Sequence, residues 1–259
     1  MTSRHVRSLL AFPAVALLAA AQQPATGRDV LLAMHDAYAG KWYSTLTFIQ
    51  QTTRKTADGK DTVATWYESV RYTAATGSML RIDIGEPAAG NGVLYTADSL
   101  WVFRGGKLSA TRAGGNALIP LIESVYMQPV DRTLRELAST GVDFSRPTVK
   151  GRWQEHDVWI VGVTSAADTV SPQIWVDAAT KVVVRSIFAP VPGRPMMDAR
   201  FQKYVPLAGG WLATQCVFFV DGKFSQGEDY SEWKANVALD PGMFDPNTFS
   251  TAPHWATKK

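Results

Sequence analysis

Residues able to carry chemistry are few in this chain and stand apart from one another. Asp83 and Glu86 close an alternating stretch, Met79-Leu80-Arg81-Ile82-Asp83-Ile84-Gly85-Glu86. Two carboxylates can divide general-acid and general-base work. Alternation of apolar and charged residues, however, marks a half-buried strand with such acids on its solvated side. His35, His156 and His254 are widely separated, and the single cysteine, Cys216, has no second thiol to pair with. None of them has the spacing of a metal site, and His156-Asp157 reads as a turn dipeptide. The sequence holds no Gly-x-Ser-x-Gly elbow and no phosphate-cradling glycine loop. The glycines from Gly85 to Gly92 are interrupted by Pro87 and alanines, which suits a β turn. Cys216 falls in the strand-like run Leu212-Ala213-Thr214-Gln215-Cys216-Val217-Phe218 and reads as a buried small hydrophobe. The chain is therefore expected to need no metal or cofactor and not to be an enzyme.

Aromatic surface is abundant instead. There are nine tryptophans: Trp42, Trp66, Trp101, Trp153, Trp159, Trp175, Trp211, Trp233 and Trp255. Indole is large and apolar, with one donor at its edge. On a strongly curved sheet, inward Trp and Phe line a cavity floor; on a flatter one they only fill a core. Phe48, Trp66, Leu80, Ile82, Trp101 and Phe103 are the strand residues expected to line such a cavity. A second apolar set, Leu118, Leu121, Ile122 and Val125, has helical spacing. It is either a plain core helix or a mobile lid over the cavity, bounded by Gly114-Gly115 and Gln128-Pro129.

The elements that must position these residues follow from the pattern. Arg4, His5 and Arg7, an apolar run over 8–20 and Ala19-Ala20-Ala21 make residues 1–21 a cleaved signal peptide. The run is too short to span a bilayer, and no cysteine stands near the cut to take a lipid anchor. Removing Arg4 and Arg7 from 26 Lys+Arg leaves 24 against 23 Asp+Glu, a net of +1. So balanced a chain has no electrostatic footprint for nucleic acid. Residues 22–259 are expected to form a single domain stabilised by packing alone, since one cysteine cannot make an internal disulfide.

Thr26 followed by Asp29 resembles a capping box, opening an amphipathic helix over 27–39. Strands are expected at 44–54, 62–72, 79–84, 92–96, 100–104 and 108–112. A helical hairpin over 116–140 then interrupts the β pattern. Strands return at 148–153, 157–164, 173–177, 182–189, 198–204, 211–220 and 224–237. Asp221-Gly222-Lys223 is a hairpin signal between the last two. The fold class is mostly β (α+β). A large curved antiparallel sheet forms an unclosed barrel, because sheets of this size must curl, close or split. The N-terminal helix and the helical hairpin cover its concave face.

In this order the motifs resemble the LolA-type family of outer-membrane lipoprotein-sorting proteins. Phe48-Ile49-Gln50-Gln51 is similar to the family's first strand, and Leu80-Arg81-Ile82 to its strand after the second hairpin. Leu94 to Phe103, with Asp98-Ser99-Leu100-Trp101, resembles its Asp-Gly, Leu-Trp block. Gln173-Ile174-Trp175-Val176-Asp177 with Val183-Val184-Arg185 resembles its later hairpin, and Leu239-Asp240-Pro241-Gly242-Met243-Phe244 its closing motif. The resemblance implies a monomeric periplasmic carrier that holds acyl chains of lipoproteins or lipids and moves them toward the outer membrane. It also implies an inner-membrane transporter and an outer-membrane receptor as partners. By the same resemblance Arg71 is the candidate for the arginine that holds the closed state, although the proline that usually follows it is missing here. An envelope-stress regulator built on the same half-barrel is the alternative. It would call for an added domain, which is not expected in a chain that ends at Lys259. A lipid hydrolase is the third reading and lacks a nucleophile–base pattern.

Overall fold

The order in which the strands pair explains the shape of the molecule. The structure is a computed structural model and describes residues 23–56, 58–189 and 193–257; the expected signal peptide lies outside them. Helix α1 (Gly27–Tyr38) precedes six strands: β1 (Thr45–Lys55), β2 (Asp61–Thr73), β3 (Gly77–Ile84), β4 (Gly92–Tyr95), β5 (Ser99–Arg104) and β6 (Lys107–Ala113). An insert carries the short helices α2 (Ile119–Ile122) and α3 (Val130–Leu137). Seven strands follow: β7 (Val149–Trp153), β8 (His156–Val161), β9 (Gln173–Asp177), β10 (Val183–Phe188), β11 (Met197–Leu207), β12 (Gly210–Val220) and β13 (Lys223–Ala235).

All thirteen strands form one antiparallel sheet in the order β6-β5-β4-β3-β2-β1-β13-β12-β11-β10-β9-β8-β7. Two meanders are thus joined along one seam, β1 against β13, where Gln50 faces Tyr230 and Thr52 faces Glu228. The two edges, β6 and β7, are consecutive in the chain but not paired with each other. The sheet therefore curls without closing, and the insert between β6 and β7 has to bridge the gap. Its place over the concave face follows from connectivity as well as from its apolar residues.

Local chemistry fixes the ends of the elements. Thr26 N–H donates to Asp29 Oδ2 at 3.0 Å, and Asp29 N–H donates to Thr26 Oγ1 at 3.3 Å, completing the capping box of α1. Val30, Leu31 and Met34 are wholly buried on its inner face. Gly210 opens β12 against the Trp42 ring, where a Cβ would come within 2.6 Å of the indole. Only glycine permits that approach.

The insert departs from the helical hairpin expected over 116–140. Helix α2 is four residues long and a 3₁₀ turn follows at Ser124–Tyr126; α3 is eight residues, and a second 3₁₀ turn covers Ala138–Thr140. The break is at Glu123, whose backbone (φ −129°, ψ −68°) leaves the helix. Tyr126 stacks on Trp42 with ring centroids 3.7 Å apart. Tyr72 Oη donates to Met127 O at 3.1 Å, and Arg132 Nη1 donates to Ala74 O at 2.9 Å.

Asp83 overturns the expectation of a solvated strand end. It is completely buried, whereas Glu86 is exposed. The residues after β13 cross the outer face of β2–β5 and cover Asp83. Arg81 donates to it through Nε and Nη2 at 2.7 and 2.8 Å, and His254 Nε2 lies 3.0 Å from Oδ2, off the line of its N–H. Phe249 stacks on Phe103 at 4.0 Å, and Trp255 Nε1 donates to Ser69 Oγ at 2.8 Å. Burial alone would raise the Asp83 carboxyl. The bonds and charge of Arg81, together with the nearby His254, outweigh it and hold the group below the ordinary carboxylate range. An acid on the outer face of a strand is solvated only where nothing crosses that face, and local alternation cannot show a distant tail.

Candidate ligand cavity

Strand periodicity sorts the side chains into two populations. Across the sheet, Phe48 on β1 faces Glu68 on β2, Glu68 faces Ile82 on β3, and Ile82 faces Val93 on β4. All four line a cavity of about 980 Å³ on the concave side. Trp66 and Leu80 line it as well, while Leu118 and Ile122 of the insert close it from above. Leu121 and Val125 are buried in the same core but do not border the space. Such a volume lies at the upper end of what small-molecule sites enclose.

Three other expected residues lie elsewhere. Trp101 and Phe103 belong to the outer cluster with Met79, Leu94, Met243 and Phe249. Strand residues alternate between faces, and in β5 it is Leu100 that borders the cavity. Arg71 is paired with Met79 of the same outer cluster, and its guanidinium sits 5.9 Å from the Phe244 ring centroid. It thus faces the C-terminal segment on the outer side. Of the nine tryptophans, Trp42, Trp66 and Trp211 reach the cavity.

The cavity also holds polar residues that sequence reasoning passed over. Glu68 is 6% exposed and Glu228 is 8% exposed. Tyr230 Oη donates to Glu228 Oε2 at 2.6 Å, and Gln226 Nε2 also donates to this carboxylate. No hydrogen bond or ion pair reaches the Glu68 carboxyl among the described residues. Burial, and then repulsion from Glu228, push Glu68 well above the ordinary carboxylate range. Burial likewise raises Glu228, while its hydrogen bonds pull the other way. The two carboxyls therefore titrate as a pair, raised above the ordinary carboxylate range. Cys216 borders the same region, its thiol pushed up by burial and then by Glu228. The available signal was positional: Trp66, Glu68 and Val70 alternate along β2, so the acid faces the same way as its apolar neighbours.

A third acid, Glu123, hangs from the insert. Trp42 Nε1 donates to its Oε2 at 3.2 Å and Tyr43 Oη to its Oε1 at 3.1 Å. Burial pushes its carboxyl up to about 8, against the lowering effect of those two donors. Arg112 and Arg135, both exposed, border the cavity from β6 and α3. Chemically the arrangement is a deep apolar space with acids inside it and no activated nucleophile among the described residues.

No protein-family model matches the sequence, and no curated protein matches it. Solved structures do match in shape. An outer membrane lipoprotein-sorting protein domain from Vibrio parahaemolyticus superposes with a TM-score of 0.60 at 12% identity, covering 86% of this chain and 98% of the other. A DUF1329 family protein from Desulfovibrio piger gives a TM-score of 0.58 at 16% identity over 85% of this chain and 95% of its own. A LolA superfamily protein from Nitrosomonas europaea gives 0.50 at 15% identity, over 83% and 96%. The likeness is one of architecture: the chain has a LolA-like fold.

Proposed function

We propose that this protein is a periplasmic carrier that takes acyl chains of lipoproteins or lipids into the concave cavity and moves them toward the outer membrane. The observation that carries this reading is the 980 Å³ space, walled by Phe48, Trp66, Leu80 and Ile82 and roofed by Leu118 and Ile122. The structural neighbours support it, since one of them is a lipoprotein-sorting domain. Export by a signal peptide cleaved before Gln22 and hand-over between an inner-membrane donor and an outer-membrane acceptor belong to the same proposal. No step of it needs bond-making chemistry.

Burial of a methylene contributes roughly 0.8 kcal/mol, about a fourfold change in affinity at most. Immobilising the chain offsets part of this. Long-chain alcohols of rising length, titrated against the fluorescence of Trp42, Trp66 and Trp211, should therefore bind progressively tighter. Affinity that does not change with chain length would sink the cavity reading.

A further inference from the structure

Glu68 and Glu228 present two carboxyl groups to one apolar cavity, and among the described residues none of the arginines that border it, Arg54, Arg112 and Arg135, makes a hydrogen bond or ion pair with either. Glu228 has hydrogen-bond donors in Tyr230 and Gln226, whereas Glu68 has none. A buried carboxyl without a partner is costly, so its complement is to be sought in what the cavity holds. A second observation comes from Trp66, two residues before Glu68 on the same face of β2. Its indole borders the cavity and carries the Arg54 guanidinium 4.8 Å from its ring centroid, so this wall already takes a cation on its π face. Arg54 acts on Glu228 from the same lining, and the unmet need is a positive charge against Glu68 itself. The walls suit a cation, because Phe48 and Tyr230 lie with ring centroids 4.4 Å apart beside the pair.

We infer that the floor of the cavity is a site for a protonated amine. The ligand is an amphiphile with an amine head, whose ammonium lies against Glu68 and Glu228. This rests on the carrier reading and narrows it to a class of cargo. The groups facing Glu68 bear on its titration. They are Glu228 and Tyr230 on β13, Cys216 on β12, Tyr95 on β4 and, farther out, Arg54 on β1 and Arg112 on β6. Both arginines are exposed, and Arg54 is already engaged, its Nε donating to Gln226 Oε1 at 2.6 Å. The tyrosines and the thiol stay neutral, and no cation is bonded to Glu68 among the described residues, so a ligand's ammonium would be its direct counter-charge. Its arrival favours the ionised form of the pair, and the displaced proton leaves to solvent.

The test compares three amphiphiles of one chain length that differ only in the head: a long-chain amine, the plain alcohol and the carboxylate. Calorimetry in buffers of differing ionisation enthalpy reads affinity and proton release together. The amine should bind about tenfold or more tighter than either of the others. It should release up to one proton per ligand, and its affinity should rise with pH while that of the alcohol stays flat. Glu68→Gln should abolish the preference and the proton release while keeping the alcohol bound, with Glu228→Gln as the second variant. Glu155→Gln, at an exposed turn, should change nothing. Equal binding of all heads, or tighter binding of the carboxylate, would overturn the amine site and leave the carrier reading standing. No binding of any of the three would overturn both.

Discussion

Glu123 shows how one side chain can couple the roof of the cavity to proton concentration. It hangs from the insert and accepts from Trp42 and Tyr43, which precede β1. In an unfolded chain a glutamate ionises near pH 4.3; here burial raises that to about 8. The folded state thus keeps a proton that the unfolded state has lost, so stability falls as pH rises across this window and levels off above it. Glu68 and Glu228 add slopes of the same sign. The difference between the native chain and Glu123→Gln isolates the Glu123 share. Thermal midpoints measured from pH 4 to pH 9 should fall less steeply for the variant, since glutamine cannot ionise. Parallel curves would mean that Glu123 is solvated before the molecule unfolds.

At the scale of elements, the insert roofs the cavity, and under the proposed carrier function it has a second home at the membrane and cargo interface. Leu121 is 1% exposed and Val125 is fully buried, but neither borders the empty space. Changing both to serine should loosen the docking without altering the lining. A helix and a ligand that compete for one apolar surface are linked, so ligand should then bind better. Hydrogen exchange should rise across 116–138 while β12 and β13 stay protected. A uniform rise over the whole sheet would make the insert ordinary core. The strands were legible because period-2 alternation and turn signals are local, and α1 because its capping box is local. The insert was only partly legible. Leu118, Leu121, Ile122 and Val125 keep helical spacing through a break at Glu123, whose carboxylate is held by the distant Trp42 and Tyr43. Trp101 and Phe103 were assigned to the cavity on residue type, whereas facing is a matter of register. Glu68 keeps the alternation of β2, so its place on the cavity face is set by register and not by residue type.

For the whole molecule, the governing fact is that each half of the sheet is a continuous meander and the halves meet at one ladder, β1 against β13. The tail after β13 adds a second tie, laying Met243, Phe249 and Trp255 on the outer face of the first half. Both ties join segments remote in sequence, whereas the peptide link between the halves runs through the loop at Gly114-Gly115, before the insert. The chain is therefore suited to fragment complementation. Residues 23–114 and 115–257, produced as separate polypeptides, should recombine into a one-to-one complex detectable by light scattering, with the roof travelling on the second fragment. Fragments that remain apart would show that the covalent strap between the sheet's two free edges, rather than the seam on its opposite side, keeps the half-barrel together.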